Sequence, residues 1–401
     1  MIIAMVLAAG RRAVTRRVAF GLVAYLFTVV MLGGTIPTPL YAIYRARLHF
    51  SDLVVTLIFA AYAVGTLAAL LVFGRLSDQV GRRRVLLAAI GVAMASTLMF
   101  ALAQNLPGLF VARALSGFSV GLVTGTATAY LVELHPGGDR GRAALIASAV
   151  NMGGLGLGPL LSGLLAQYGP VPTTLPYVAL LALLAPAALV VLAPETVEVR
   201  EPAQLRLQRL AVPAEIRVPF AAAAGAGFVS FAFLGLLTSL VGSFLATSLH
   251  SHSYALAGLA VFVLFGAVVV AVLAATKLTS RAALLVGLGL LPAGLVLFVL
   301  ALPAASLTLF ITGIVIGGVG VGLAFKAALA LVSRLAPDDQ RGEVVSSFFV
   351  ASYLGITLPV IGVGVLTTLV STFVAAVTFG TVVVVLAAIA AAIVTRRTDV
   401  A

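Results

Sequence analysis

The chain has 401 residues, 62% of them hydrophobic and 9% charged, with a mean hydropathy of +1.22 and a formal charge of +12. So much apolar surface exceeds what one soluble core covers, and the apolar runs pass the roughly 18 residues of a membrane span, which excludes a soluble enzyme and implies a polytopic membrane protein. The Lys and Arg residues are parcelled between apolar runs rather than gathered on one solvated face, so the charge reports topology and not nucleic acid. Cysteine is absent, which removes disulfides, thiol catalysis and Cys-held metals.

The opening MIIAMVLAAG is apolar but precedes Arg11 and Arg12, the reverse of a secretory signal, and reads as a cytoplasmic start. Twelve apolar segments follow, at 18–44, 53–74, 85–104, 106–132, 143–167, 174–193, 218–247, 253–275, 282–302, 305–332, 344–369 and 372–394. Each can cross about 30 Å of hydrocarbon as a helix, and the alternation of barrel strands is missing. With the N-terminus inside, the inner segments hold 20 of the 24 Lys and Arg residues, which places both termini in the cytoplasm. Arg45 and Arg47 fall outside, while Arg113 and Lys326 stay within spans.

The first span ends in IPTPLYAIY, where Tyr41 is a candidate substrate contact. Between spans two and three comes GRLSDQVGRRRVLL, residues 74–87, dense in charge for this chain. Gly74 and Gly81 permit a turn and close helix approach, Asp78 is the loop's one acid, and Arg82 and Arg83 form its basic cluster.

The spacing Gly74-x-Leu76-x-Asp78-x-x-Gly81-Arg82-Arg83 resembles the loop signature of the major facilitator superfamily. The resemblance covers essentially the whole chain. It implies an all-α protein with twelve transmembrane helices in two six-helix bundles around a central cavity, divided as residues 1–193, a cytoplasmic linker at 194–217, and 218–401. It also implies a cytoplasmic latch, with Asp78 against the positive N-terminal end of span eleven, near Glu343, in the outward-open state.

Span four reads RALSGFSVG, with Arg113 followed by Gly117, Gly121 and Gly125, similar to a second motif of that family. An arginine roughly 10 Å into hydrocarbon must face the bundle interior and find acceptors, and Arg113 is a candidate for substrate or proton handling as well as for tying spans together. Span five reads NMGGLGLGPLLSG, residues 151–163. Its Gly154-x-x-x-Gly158-Pro159-x-x-x-Gly163 pattern is similar to the motif of drug–proton exchangers in the superfamily, with Asn151 a candidate substrate contact. Small residues at four-residue spacing allow close packing, so Gly158→Leu is expected to disrupt function and Gly158→Ala to be milder.

LVELHPGGDRGRAAL at 131–145 and LVSRLAPDDQRGEVV at 331–345 share a Leu-Val, a Pro and an Arg-Gly, an internal repeat. The polar stretch Pro194–Pro219 divides the two copies. In the second copy ATKLTSRAALL, residues 275–285, keeps Lys277 and Arg281 but has no acid, so the latch is asymmetric. Through the repeat Lys326 corresponds to Gly125, and Arg113 and Lys326 are expected to line one cavity, with a bound anion, an anionic substrate group or a neutral lysine offsetting their charge.

None of the twelve acids lies deep in a span, a departure from proton-coupled members of the family. His250 and His252 lack further ligands, no phosphate-cradling loop occurs, and no cofactor, metal or nucleic-acid partner is expected. The resulting expectation is a monomeric carrier in a bacterial inner membrane, exporting small amphipathic organic compounds by alternating access, with protons as a candidate coupling ion. Uptake or facilitated diffusion is the alternative, and a non-transporting sensor the reading from another class.

Overall fold

The computed structural model describes residues 14–199 and 208–396, and among these twelve helices are long and apolar enough to cross a membrane and no strand occurs. The opening MIIAMVLAAG with Arg11 and Arg12, the middle of the linker with Arg200 and Arg206, and the last five residues lie outside the described residues.

Spans one to six run Arg16–Leu48, Asp52–Phe73, Arg82–Leu102, Leu106–Leu134, Arg140–Tyr168 and Leu175–Leu192. Spans seven to twelve run Ala214–Ser248, Tyr254–Ala274, Ser280–Ala301, Leu307–Leu335, Arg341–Leu369 and Thr372–Arg396. Several begin at a short polar cap whose side chain accepts an otherwise orphaned backbone N–H: Asn105 from Gly108, Asp139 from Arg142, Ser253 from Leu256, Thr279 from Ala282 and Ser306 from Leu309.

The bounds depart from the hydropathy reading where proline or charge decides. Span one runs past residue 44 because Pro37 and Pro39 sit in the first turn of a second helical segment, Pro37–Leu48, where a missing N–H costs little. Arg45 and Arg47 fall in its last turn, at the negative end of the helix dipole. Span six is α-helical only to Ala187 and ends as a tighter 3₁₀ turn, Ala188–Leu192, just after Pro186. A four-residue helix, Ser77–Val80, lies inside the loop between spans two and three.

The internal repeat extends into the helix bounds. Spans four and ten are both 29 residues long, as are spans five and eleven, with first residues Leu106 and Leu307, Arg140 and Arg341. One large buried apolar cluster draws on residues 222–394 and a second on 19–193 together with Tyr353 and Ile356 of span eleven, with a small third of Ala271, Ala275 and Leu323. Residues 14 and 396 lie on the same face as the loop between spans two and three, the terminal face; the loops at 49–51, 169–174 and 249–253 mark the far face.

Candidate functional site

The charged loop is a closed network. Gly81 holds φ at +103°, a conformation that glycine adopts without strain, and turns the chain so that span three starts toward the end of span six. There the Glu195 carboxylate accepts from the backbone N–H groups of Arg82 (2.9 Å) and Arg83 (3.2 Å), an anion seated on a helix N-terminus. The Arg82 guanidinium joins Glu133 (2.8 Å), Asp78 (2.5 Å) and the Ser77 hydroxyl (2.7 Å), and Glu133 also accepts from Thr196. Arg83 donates to the Val191 carbonyl at 3.1 Å.

Asp78, expected against the start of span eleven in the outward-open state, pairs here with Arg82 four residues on, its side chain 55% exposed. The side chain that reaches span eleven is Arg75, whose guanidinium lies 2.8 Å from where a Cβ on Gly342 would stand. Gln208 completes the crossing: its N–H donates to the Leu71 carbonyl of span two (2.9 Å), and its side chain accepts from Ser346 of span eleven. The acid that satisfies the N-terminus of span three is therefore Glu195, and sequence reasoning passed over it because its partners lie 113 and 112 residues away.

Arg113 is 1% exposed, the largest fully buried side chain among the described residues. It donates to the Gly34 carbonyl at 2.5 Å, and its guanidinium stands 5.0 Å from the Phe59 ring centre and 4.3 Å from that of Tyr62, within cation–π range. Thr38 and Tyr41 follow Gly34 by four and seven residues, so they share its helical face toward Arg113. The Thr38 and Tyr41 hydroxyls and Arg113 Nε are buried and have no hydrogen-bond partner.

Gly117 and Gly121 form the seam between spans four and two. A Cβ at Gly117 would fall on the Tyr62 carbonyl, and one at Gly121 would lie 2.6 Å from Ala69 and 2.7 Å from the Thr66 carbonyl. Thr66 donates across the seam to the Gly117 carbonyl at 3.0 Å. The next step of the stripe, Gly125, is exposed with nothing within 4 Å of an added Cβ. It lies about 14 Å from the terminal-face end of its span and lines the deep end of a cavity of about 410 Å³. Leu70, Phe73, Thr126, Gln208, Ser346 and Phe349 also line this cavity, which lies toward the terminal face between spans two, four and eleven. Phe349 continues into an aromatic wall: Phe325 lies 6.4 Å from it, Phe231 4.9 Å from Phe325, and Tyr353 5.3 Å from Phe231.

The second half repeats the stripe and closes it. Gly318 and Gly322 pack on Leu264 and Val268 of span eight, and Lys326, in the place of Gly125, donates to the Val272 carbonyl at 2.7 Å. That carbonyl belongs to the last turn of span eight, so Lys326 bonds to a helix end. Arg113 and Lys326 are thus not brought together: one is sealed in the first half toward the far face, the other is tied within the second half toward the terminal face.

Span five's motif divides between two neighbours. Gly154 and Gly158 meet Thr28, Met31, Leu32 and Thr35 of span one, and Gly163 meets Tyr254 and Gly258 of span eight in the other half. Pro159 lacks the N–H that would bond the Leu155 carbonyl, and the Thr35 hydroxyl supplies it instead at 2.8 Å, so the helix runs on unbroken from Arg140 to Tyr168. Even the milder change at Gly158 meets resistance: an alanine Cβ there would collide with the Leu32 carbonyl and lie 2.5 Å from the Thr35 hydroxyl. Asn151 is half-buried on the same helix, beside Met152, which packs on the second-half core.

On the far face the halves meet at Arg45, Asp52 and Ser243. Asp52 pairs with Arg45 and accepts from the Ser243 hydroxyl of span seven at 2.6 Å, and Arg45 also donates to Ser243 at 3.1 Å. These residues stand at a vestibule of about 670 Å³ floored by Leu245 and Ala257. Gly364 against Thr56 and Leu53 adds a second crossing. Among the described residues no group of three or more His, Asp or Glu is placed to hold a metal.

A dozen spans, an internal repeat and a cleft between the halves define a polytopic membrane protein of the kind that carries solutes. The family model described as Major Facilitator Superfamily matches residues 19–359, and the chain belongs to that family. Among curated proteins, the uncharacterized MFS-type transporter Rv1877 of Mycobacterium tuberculosis is 32% identical over 155 residues, 39% of this chain and 22% of that protein. Puromycin resistance protein pur8 of Streptomyces alboniger is 35% identical over 143 residues, 35% of this chain and 28% of that one. Quinolone resistance protein NorA of Staphylococcus aureus is 25% identical over 139 residues, 35% of this chain and 36% of that one. The matches thus span well under half the length of these relatives. Among solved structures, a mutant of the nucleoside transporter NupG superposes with a TM-score of 0.75 at 14% identity, over 94% of this chain and 99% of that one. A bacterial homolog of the human lysosomal transporter Spinster, inward-facing and unoccupied, gives 0.71 at 17% identity, over 94% and 96%.

Proposed function

We propose that the chain carries small amphipathic organic compounds across a bacterial inner membrane, outward from the cytoplasm, by alternating access between two six-span bundles, residues 1–193 and 218–401. One observation supports this above the others: a cavity on the terminal-face side reaches Gly125, about a third of the way through span four, while the far-face ends of spans two and eleven are tied across the halves. The cavity wall is mostly apolar with Thr126, Gln208 and Ser346 interspersed, which suits a solute with an apolar body and a few polar groups. The terminal face carries most of the Lys and Arg residues and so stands in the cytoplasm. Outward transport draws on the two relatives named for drug resistance.

The charged loop is the latch in this reading, with Asp78 released from Arg82 toward span eleven when the far face opens. Protons have no carboxylate carrier inside the spans. Lys326 is the remaining titratable group at depth, and its bond to Val272 favours a structural role. The reading is tested by reconstituting the full chain in liposomes and measuring counterflow exchange of an aromatic amphipath panel with and without an imposed pH gradient. Exchange above protein-free liposomes is expected for part of the panel, and its absence across the panel overturns the reading.

A further inference from the structure

The charges near the membrane interior are unequally matched. Four acids belong to the described spans, and each lies within three residues of an end: Asp52, Glu133, Glu215 and Glu343. Asp52 is neutralised by Arg45, and Glu133 by Arg82. The two basic residues at depth, Arg113 and Lys326, have no acid. Arg113 meets a carbonyl and two rings, and Lys326 meets a carbonyl. Arg113 Nε and the Tyr41 and Thr38 hydroxyls add buried polar atoms that no acid satisfies. The cavity has no acid in its lining, its one charged lining residue, Arg341, pairs with Asp338 at 2.7 Å, and its aromatic side is built of Phe349 backed by Phe325.

We propose that this pathway sorts solutes by charge sign, accepting neutral and anionic aromatic amphipaths and rejecting organic cations; the inference rests on the transport reading above. An apolar wall and aromatic rings bind the body of any of the three, so charge decides among them. Desolvating a cation in a cleft whose lining offers no carboxylate leaves it uncompensated, and Lys326, which has no acid partner, adds repulsion. Interaction with one unit charge about 10 Å away at the effective dielectric of a protein is enough for a discrimination of about tenfold. An anion gains from the same field. The internal repeat explains how the asymmetry arises at one position: a side chain fills it in the second half, as Lys326, while the first half leaves it as open space at Gly125.

The experiment compares three probes on one fluorophore with the reconstituted full chain: dansylamide (neutral), dansylglycine (carboxylate) and a dansyl derivative ending in trimethylammonium. Binding is read by fluorescence titration and movement by counterflow. The ammonium probe is expected to bind at least about tenfold more weakly than dansylamide. Lys326→Gln should weaken dansylglycine severalfold while leaving dansylamide unchanged. Gly125→Asp places a carboxylate where the structure has room, and should bring the ammonium probe level with dansylamide. An ammonium probe binding within twofold of dansylamide in the parent chain overturns the inference and leaves the transport reading standing. Gly125→Asp that folds and moves no probe's affinity also overturns it. Failure of all three probes to bind or exchange removes the transport reading and this inference together.

Discussion

Arg113 and Arg82 are both buried arginines, but they answer differently to removal. Arg82 neutralises Glu133 and Asp78, so Arg82→Met leaves two acids without their cation. With Glu133 still 29% exposed, the expected loss is about 2 kcal/mol, below the roughly 3–5 of a fully buried pair. Arg113 has no acid to strand, and Arg113→Met exchanges one carbonyl bond and two ring contacts for apolar packing of similar length. Its stability should stay within about 1 kcal/mol of the parent. Thermal unfolding in detergent ranks the two, and equal losses would contradict this account of the charges. Asp78 belongs to the same scale: its bond to Arg82 is half in solvent, so Asp78→Asn should change stability by no more than about 0.5 kcal/mol. A fall in counterflow rate in that same variant is the signature of a latch used in the other state, and unchanged flux argues against one. Such pairings were only partly legible in the sequence. Acid, glycines and basic cluster in register located the loop, but Glu195 and Gln208 act across more than a hundred residues and carry no local pattern.

At the scale of elements, the glycines separate into those that hold helices together and those that face space. Gly117, Gly121, Gly154 and Gly158 stand where a Cβ would meet a neighbour's backbone or Cβ, whereas Gly125 and Gly153 have nothing within 4 Å. Gly158→Ala should therefore already destabilise, by about 1–3 kcal/mol as for an overpacked core, and Gly158→Leu more. Gly125→Ala and Gly153→Ala should be neutral or slightly stabilising, since alanine is the better helix former by about 1 kcal/mol. Melting temperatures of the four variants decide it; the order reversed would refute the packing. The span count was readable because twelve apolar runs are separated by caps and charged loops, and the four-residue glycine rhythm was readable too. Which glycine faces a partner was not, because Gly121 and Gly125 lie on one stripe and differ only in whether span two still lies opposite. Lys326 shows the same limit: its depth was legible, while the helix end it bonds to comes from a segment 54 residues away.

For the whole molecule, the far-face triangle of Arg45, Asp52 and Ser243 is expected to set how often the vestibule opens. Ser243 is its one member from the second half, so Ser243→Ala removes both cross-half bonds while leaving Arg45 and Asp52 paired within the first half. Losing hydrogen bonds to charged groups at about 1–1.5 kcal/mol shifts a two-state equilibrium about fivefold to tenfold. The absence of cysteine makes the shift measurable with a single added thiol. Ala257 is buried at 3% on the vestibule floor, so Ala257→Cys reports opening through its rate of maleimide labelling. That rate should rise about fivefold or more when Ser243→Ala is added. Asp52→Asn removes the charge that both partners share and should raise it similarly, and the two changes together should not multiply, because they break the same contact. Labelling unchanged by either substitution would show that the far face is held by packing alone, through Gly163 on Gly258 and Gly364 on Thr56. In that case Gly163→Ala, which drives a methyl into the span eight backbone, would be the change that opens it.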